Sequence, residues 1–310
     1  MPEQDYVWLP RENILTFEEI GSLVDVFTSL GVDRVRITGG EPLLRTDLHA
    51  LVRLLSAKAP LRDLALTTNG LVLLDQAKAL QAAGLHRITV SLDTLRPERF
   101  RELTRFDALN AVRNGLEEAA ARFGNVKIDT VVIRGVNDDE LIDLLELGRT
   151  LGAEVRFIEY MDVGGATRWS LADVIPRTAI LATVEAHYGR VTAIDETTSA
   201  PADRFRLEDG TTFGVISSTT APFCRACDRS RLTADGLWYL CLYAMTGTDL
   251  RKSMRAGASP DELRRTIESV WQTRNDRGAE LRAAASKRPP LIPIETLQRE
   301  PHLEMHTRGG

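Results

Sequence analysis

The chain has 310 residues, 43% of them hydrophobic and 27% charged, with a net charge of −5. That length carries one large α/β domain and a smaller appended region, and the mild acidity excludes the broad basic field by which proteins meet nucleic acid or an anionic membrane. No apolar run in the sequence approaches the roughly 18 residues of a membrane helix, and the polar start, Met1 to Pro10, has no basic signal-peptide region, so a soluble cytoplasmic protein is expected.

Thr16 with Glu19 reads as a capping box. Phe17, Ile20, Leu23, Val24 and Phe27 then fall at helical spacing up to Gly31. Asp33 to Thr38 reads as a strand, with Val35 and Ile37 alternating. Thr46 is placed to cap a helix carrying Leu48, Leu51, Leu54 and Leu55. Leu64 to Thr68 is the next strand and ends in Asn69-Gly70. Leu74, Ala77 and Leu80 give a helix that stops at Gly84, and Arg87 to Leu92 is a third strand. One long helical stretch is predicted from Pro97 to Phe123, then a strand from Val126 to Ile133. Asn137 with Glu140 is predicted to cap a helix ending at Gly152, and Glu154 to Met161 is a fifth strand. Strands separated by helices at this spacing imply right-handed βαβ units and a parallel sheet, hence an α/β fold.

Beyond Gly164 the regularity changes, so the domains are expected at 1–163 and 164–310. The second part holds a helix near Pro176 to His187 and short strands at Val191 to Ile194, Arg204 to Leu207 and Phe213 to Ile216. A cysteine segment follows, then a helix from Pro260 to Trp271 and, from Ala283, a tail expected to be irregular.

All three cysteines lie in one cluster: Cys224 and Cys227 two residues apart, and Cys241 thirteen residues further. An odd number in one cluster is a poor disulfide framework and suits a metal in a reducing compartment. Three thiolates can hold three corners of an iron–sulfur cube or three positions on zinc, with one position open. Spacing alone leaves both readings standing. Arg229 and Arg231 flank this segment and share a face if the backbone is extended; guanidinium pairs suit phosphate, and a solvated basic surface is the alternative.

Gly39-Gly40-Glu41-Pro42 follows a strand directly, where small residues let the backbone approach a ligand and Glu41 can accept from an ammonium group; a plain tight turn is the alternative. Thr67-Thr68-Asn69-Gly70 is equally ambiguous. Arg36, Lys127 and Arg156 sit on strands that otherwise read as buried, which is costly for cations without a partner. They imply an anionic ligand, internal ion pairs with Glu41, Glu159 or Asp129, or strand ends that face outward. The five histidines (His49, His86, His187, His302, His306) form no metal-binding pair, and no Walker loop, dinucleotide fingerprint or nucleophile elbow is present.

Together these segments resemble the GTP 3',8-cyclase family of radical SAM enzymes over essentially the whole chain. The matching stretches are WLPRENILTFEEI, RITGGEPLLR, LTTNG, ITVSLDTL, VVIRGVNDDE, RFIEYMDVG, FCRACDRSRLTADGLWYLCLY and the terminal Gly309-Gly310. The resemblance implies an incomplete (βα)6 TIM-like barrel with a smaller C-terminal α+β region that carries a second [4Fe-4S] cluster. It implies a lyase that opens molybdenum cofactor biosynthesis by converting GTP to (8S)-3',8-cyclo-7,8-dihydroguanosine 5'-triphosphate, through a radical derived from S-adenosylmethionine.

Carried over by position, Gly40, Glu41, Ser91 and Met161 resemble S-adenosylmethionine contacts. Arg36, Thr67, Lys127, Arg156, Arg229 and Arg231 resemble GTP contacts, and Cys224, Cys227 and Cys241 resemble ligands of the C-terminal cluster. No side chain is implied as an acid or base. A homodimer is implied, as is a downstream cyclic pyranopterin monophosphate synthase.

One departure stands against this match. The family's first cluster uses C-x3-C-x2-C just ahead of a Met-Pro pair, and this sequence reads Met1-Pro2-Glu3 from its first residue. The first cluster, S-adenosylmethionine held at it and the first barrel strand are therefore expected only with that segment present. This form by itself is expected to be inactive, with a non-catalytic GTP- and cluster-binding protein as the alternative.

Overall fold

The computed structural model describes residues 9–163, 169–196, 199–285, 292 and 294–309. Helix α1 (Phe17–Ser29) opens on the predicted box: Thr16 Oγ1 accepts from Glu19 N at 3.1 Å, and the Glu19 carboxylate accepts from Thr16 N at 2.8 Å. Then come β1 (Arg34–Ile37), α2 (Leu48–Ser56), β2 (Asp63–Thr68), α3 (Leu73–Ala82) and β3 (Arg87–Ser91). Helices α4 (Pro97–Thr104) and α5 (Leu109–Arg122) lead to β4 (Val126–Val132), α6 (Leu141–Leu151) and β5 (Glu154–Glu159).

Three local expectations are corrected. The stretch from Pro97 to Phe123 is two helices, because Arg105 turns left-handed at φ 67° and ends α4. Helix α2 is entered through Asp47, at φ 55° with no side-chain cap, and Thr46 does not cap it. Asn137 caps nothing either: its Nδ2 donates to Asp93 O and Val131 O, and its Oδ1 accepts from Ile133 N, so the amide is spent tying strand ends together.

After α7 (Arg177–Tyr188) come β6 (Thr192–Ile194), β7 (Asp203–Arg206) and β8 (Thr212–Ile216). The main sheet runs β1-β2-β3-β4-β5-β8-β7-β6. Strands β1 to β5 and β8 are parallel, and β7 and β6 close the far edge antiparallel. The sheet thus continues past residue 163 and takes its sixth parallel strand from the second part of the chain. Helix-facing positions of the strands, among them Leu64, Leu66, Ile88, Val90, Ile128, Phe157 and Phe213, are fully buried in one large core.

The remainder is a three-stranded antiparallel sheet, β9 (Arg231–Leu232), β10 (Leu237–Tyr239) and β11 (Thr248–Asp249), with α8 (Leu250–Arg255) and α9 (Pro260–Gln272) beside it. Leu250, Leu263, Ile267 and Trp238 bury against Leu15, Leu23 and Val26, so this region packs on α1 and lies against the barrel. The tail is more regular than expected: α10 (Gly278–Ala284), α11 (Ile294–Arg299) and α12 (Met305–Arg308) form, with Ile292, Leu297 and Leu303 in a small core. Among the described residues no helix is long and apolar enough to cross a membrane.

Candidate active site

Alternation along the parallel strands puts charge on the face opposite the helices. Register pairs Lys127 with Glu154, Asp129 with Arg156, and Ser91 with Asp129. Arg36 on β1 donates to Thr67 Oγ1 at 2.7 Å and to Thr89 Oγ1 at 3.1 Å. Glu154 is the carboxylate that Lys127, Arg156 and Arg204 share, at 3.5, 2.9 and 2.8 Å. Arg87 pairs with Asp63. The three cations singled out in the sequence are therefore together on one face, but Lys127 and Arg156 pair with Glu154, not with Glu41, Glu159 or Asp129, and Arg36 bonds to threonine hydroxyls.

Five cations (Arg36, Arg87, Lys127, Arg156, Arg204) meet four carboxylates (Asp63, Asp129, Glu154 and Glu196, the last on Arg204), leaving an excess of one positive charge for an anion. Burial, with Arg156 beside it, holds the Lys127 ammonium down to about 8 against the pull of Glu154. Burial also lowers Arg36 and raises Asp129, whose Oδ1 is buried without a hydrogen-bond partner. Asp129, Glu154, Arg87 and Arg204 carry this balance and were not singled out as ligand contacts. Their signal in the sequence was the same two-residue alternation that marked Lys127.

The rim of the sheet collects the expected S-adenosylmethionine contacts. Gly40 lies in the bend after β1, Ser91 closes β3 and Met161 follows β5, all at C-terminal ends of parallel strands. Glu41 Oε1 accepts from Leu43 N at 2.9 Å and Thr68 Oγ1 at 2.7 Å, and its Oε2 accepts from Asn69 N at 2.7 Å. The carboxylate thus locks two rim turns together and keeps limited capacity for an ammonium group.

The cysteines lie beside this rim. Cys224 opens a short 3-10 turn, Cys227 N donates back to Cys224 O, and all three thiols are free and partly buried. Cys227 Sγ accepts from Arg229 and Arg274 guanidinium groups, each at 3.5 Å, and Cys241 Sγ accepts from Tyr243 N at 3.4 Å. Burial works against ionising Cys227, but the Arg229 backbone and guanidinium outweigh it and lower the thiol below its ordinary value. Donors aimed at sulfur fit thiolates that ligate a cluster. Among the described residues no three His, Cys, Asp or Glu side chains converge as ligands of one ion do.

Arg229 lies over the Phe223 ring at 4.8 Å, with its Nε buried and unpartnered. Burial and neighbouring Arg229 pull Arg231 down to about 10. Arg231 Nε donates to Gly309 O at 3.4 Å, which brings the tail to the site. A Cβ at Gly309, where φ is +75°, would lie 2.4 Å from Thr38 Cγ2, so only glycine lets the tail rest on the end of β1. Arg308 fastens that tail: it donates to His302 O at 2.7 Å and Leu242 O at 2.8 Å and lies 4.4 Å from the Tyr239 ring centre. Gly310, which the family resemblance implies reaches toward the site together with Gly309, lies outside the described residues.

Comparison with known proteins bears directly on this arrangement. Residues 4–148 match the Radical SAM superfamily model, and residues 153–280 match Molybdenum Cofactor Synthesis C. The Mycobacterium tuberculosis (strain CDC 1551 / Oshkosh) protein named GTP 3',8-cyclase 1 is 56% identical, covering 100% of this chain and 88% of that protein. The chain belongs to the GTP 3',8-cyclase family. The family's Aquifex aeolicus (strain VF5) member, named GTP 3',8-cyclase, is 40% identical over 100% of this chain and 91% of its own length. The crystal structure of Streptococcus suis SuiB bound to S-adenosylmethionine superposes with a TM-score of 0.60. It covers 91% of this chain and 63% of its own at 15% identity, and it supports the fold alone.

Proposed function

We propose that the chain is a radical SAM lyase that converts GTP to (8S)-3',8-cyclo-7,8-dihydroguanosine 5'-triphosphate, the first step of molybdenum cofactor biosynthesis. The observation that carries this reading is a cation-rich sheet face and a three-thiol segment meeting at one rim, within a family named for that reaction. In this reading Arg36, Thr67, Lys127 and Arg156 hold GTP from the sheet, and Arg229 and Arg231 hold it from the C-terminal side. Gly40, Glu41, Ser91 and Met161 hold S-adenosylmethionine at the rim. A [4Fe-4S] cluster on Cys224, Cys227 and Cys241 supplies, when bound, an iron with an open position for the guanine base.

The proposed division of labour puts S-adenosylmethionine and the sheet-borne GTP contacts on 1–163, and the cluster with the GTP contacts Arg229 and Arg231 on 164–310. Homodimerisation, the cytoplasmic setting and consumption of the product by cyclic pyranopterin monophosphate synthase belong to the same proposal and rest on the resemblance.

Three cysteines suffice to ligate one such cluster. The second reading is a non-catalytic GTP- and cluster-binding protein. The two are separated by assaying the 310-residue protein and a version with a C-x3-C-x2-C segment supplied in front, both reconstituted anaerobically with GTP, S-adenosylmethionine and dithionite. The shorter protein is expected to bind GTP and release no 5'-deoxyadenosine, and the longer one to form the cyclised nucleotide. Two loaded clusters in the longer protein with no cyclisation would establish the binding-protein reading instead.

A further inference from the structure

Cys241 is tied to the rim of the main sheet through Tyr243, Asp162 and Arg282, none of which is among the expected ligand contacts. Asp162 directly follows Met161 and is only 4% exposed. Its Oδ1 accepts from the Tyr243 hydroxyl at 3.1 Å, and its Oδ2 accepts from Arg282 Nε at 2.7 Å. The backbone N–H of Tyr243 donates to Cys241 Sγ at 3.4 Å. Tyr243 thus touches the thiol with its main chain and the strand end with its side chain. Gly278, at the start of α10, closes on the same turn: a Cβ there would lie 2.4 Å from Tyr243 Cβ and 3.2 Å from Cys241 Sγ.

A buried carboxylate is costly to leave without donors, and a guanidinium–carboxylate pair is directional, so these contacts hold one geometry and resist sliding. The groups behind a metal ligand set where that ligand stands. We propose that Asp162, Tyr243 and Arg282 are positioning residues, a clasp that sets Cys241 relative to Met161. The clasp thereby fixes how far a ligand on the thiol-bound cluster lies from S-adenosylmethionine at the rim. This inference rests on the GTP reading given above.

The test uses the 310-residue protein, anaerobically reconstituted, with Tyr243→Phe, Asp162→Asn, the double variant and Leu281→Ala. Leu281 is an exposed neighbour of Arg282 on α10 and serves as the control. Iron per chain, GTP affinity, and the change GTP causes in the electron paramagnetic resonance spectrum of the reduced cluster are measured. Tyr243→Phe, which removes one hydroxyl and leaves the ring against Gly278, is expected to keep its iron. It should lose about 10-fold in GTP affinity, with a weakened spectral response. The double variant is expected to be no worse than the poorer single variant, because both substitutions break one shared contact. Leu281→Ala should match the parent.

A parent that responds to GTP beside Tyr243→Phe and Asp162→Asn proteins that respond equally well would overturn the clasp alone. Additive losses in the double variant would do the same. A parent whose spectrum is indifferent to GTP would overturn the GTP reading and the clasp with it.

Discussion

Lys127 sits where burial and the Arg156 charge oppose Glu154, and its folded pKa of about 8 lies below the ordinary lysine value. Between those two values the unfolded chain binds more protons than the folded one, so the strain at Lys127 is present below about pH 8 and is relieved as pH rises. Urea unfolding should show a rise in stability above pH 8 that is absent from Lys127→Gln. GTP affinity should move the opposite way, falling above pH 8 as the ammonium is lost, with the fall blunted in Lys127→Gln. Gly309 carries a steric prediction. Gly309→Ala places a methyl against Thr38 at a φ that L residues avoid, which should lift the tail off β1. Hydrogen exchange of the α12 amides should increase, with little change in the melting temperature of the whole protein.

At the scale of elements, the two capping boxes are the simplest stability handles. Ser259 Oγ accepts from Glu262 N at the start of α9, whose Leu263 and Ile267 join α1 in the second core. Ser259→Ala should cost about 1 kcal/mol, read as a fall in melting temperature of a few degrees. Strands β1 to β5 and most helices were legible, because β-branched alternation, Gly stops and S/T-x-x-E boxes are local signals. The exceptions have their own causes. Arg105 and Asp47 adopt left-handed backbone that the helical pattern does not announce, and Asn137 spends its amide on the nearby end of β4 and on Asp93, which is distant in sequence. That Lys127, Arg156 and Arg36 lie on strands that otherwise read as buried was legible in the sequence. Glu154 answers Arg156 along β5 itself, two residues away, but that it also answers Lys127 depends on strand register, which no single segment encodes.

At the scale of the molecule, the site is assembled by two links that cross from the C-terminal region to the barrel. Gly309 joins Arg231 to the end of β1, and Tyr243 joins Cys241 to the end of β5. The arrival of Gly309 was legible through the resemblance alone, and the Tyr243 link was not visible at all, since each contact depends on how the second core seats that region on α1. The three-thiol segment is read from the sequence as C-x2-C-x13-C, and the chemistry proposed for it carries the functional account. The most direct measurement is the iron and acid-labile sulfide content of the anaerobically reconstituted 310-residue protein. The account predicts about four of each per chain, lost in Cys227→Ala. One zinc per chain, or iron that survives removal of Cys227, would contradict it.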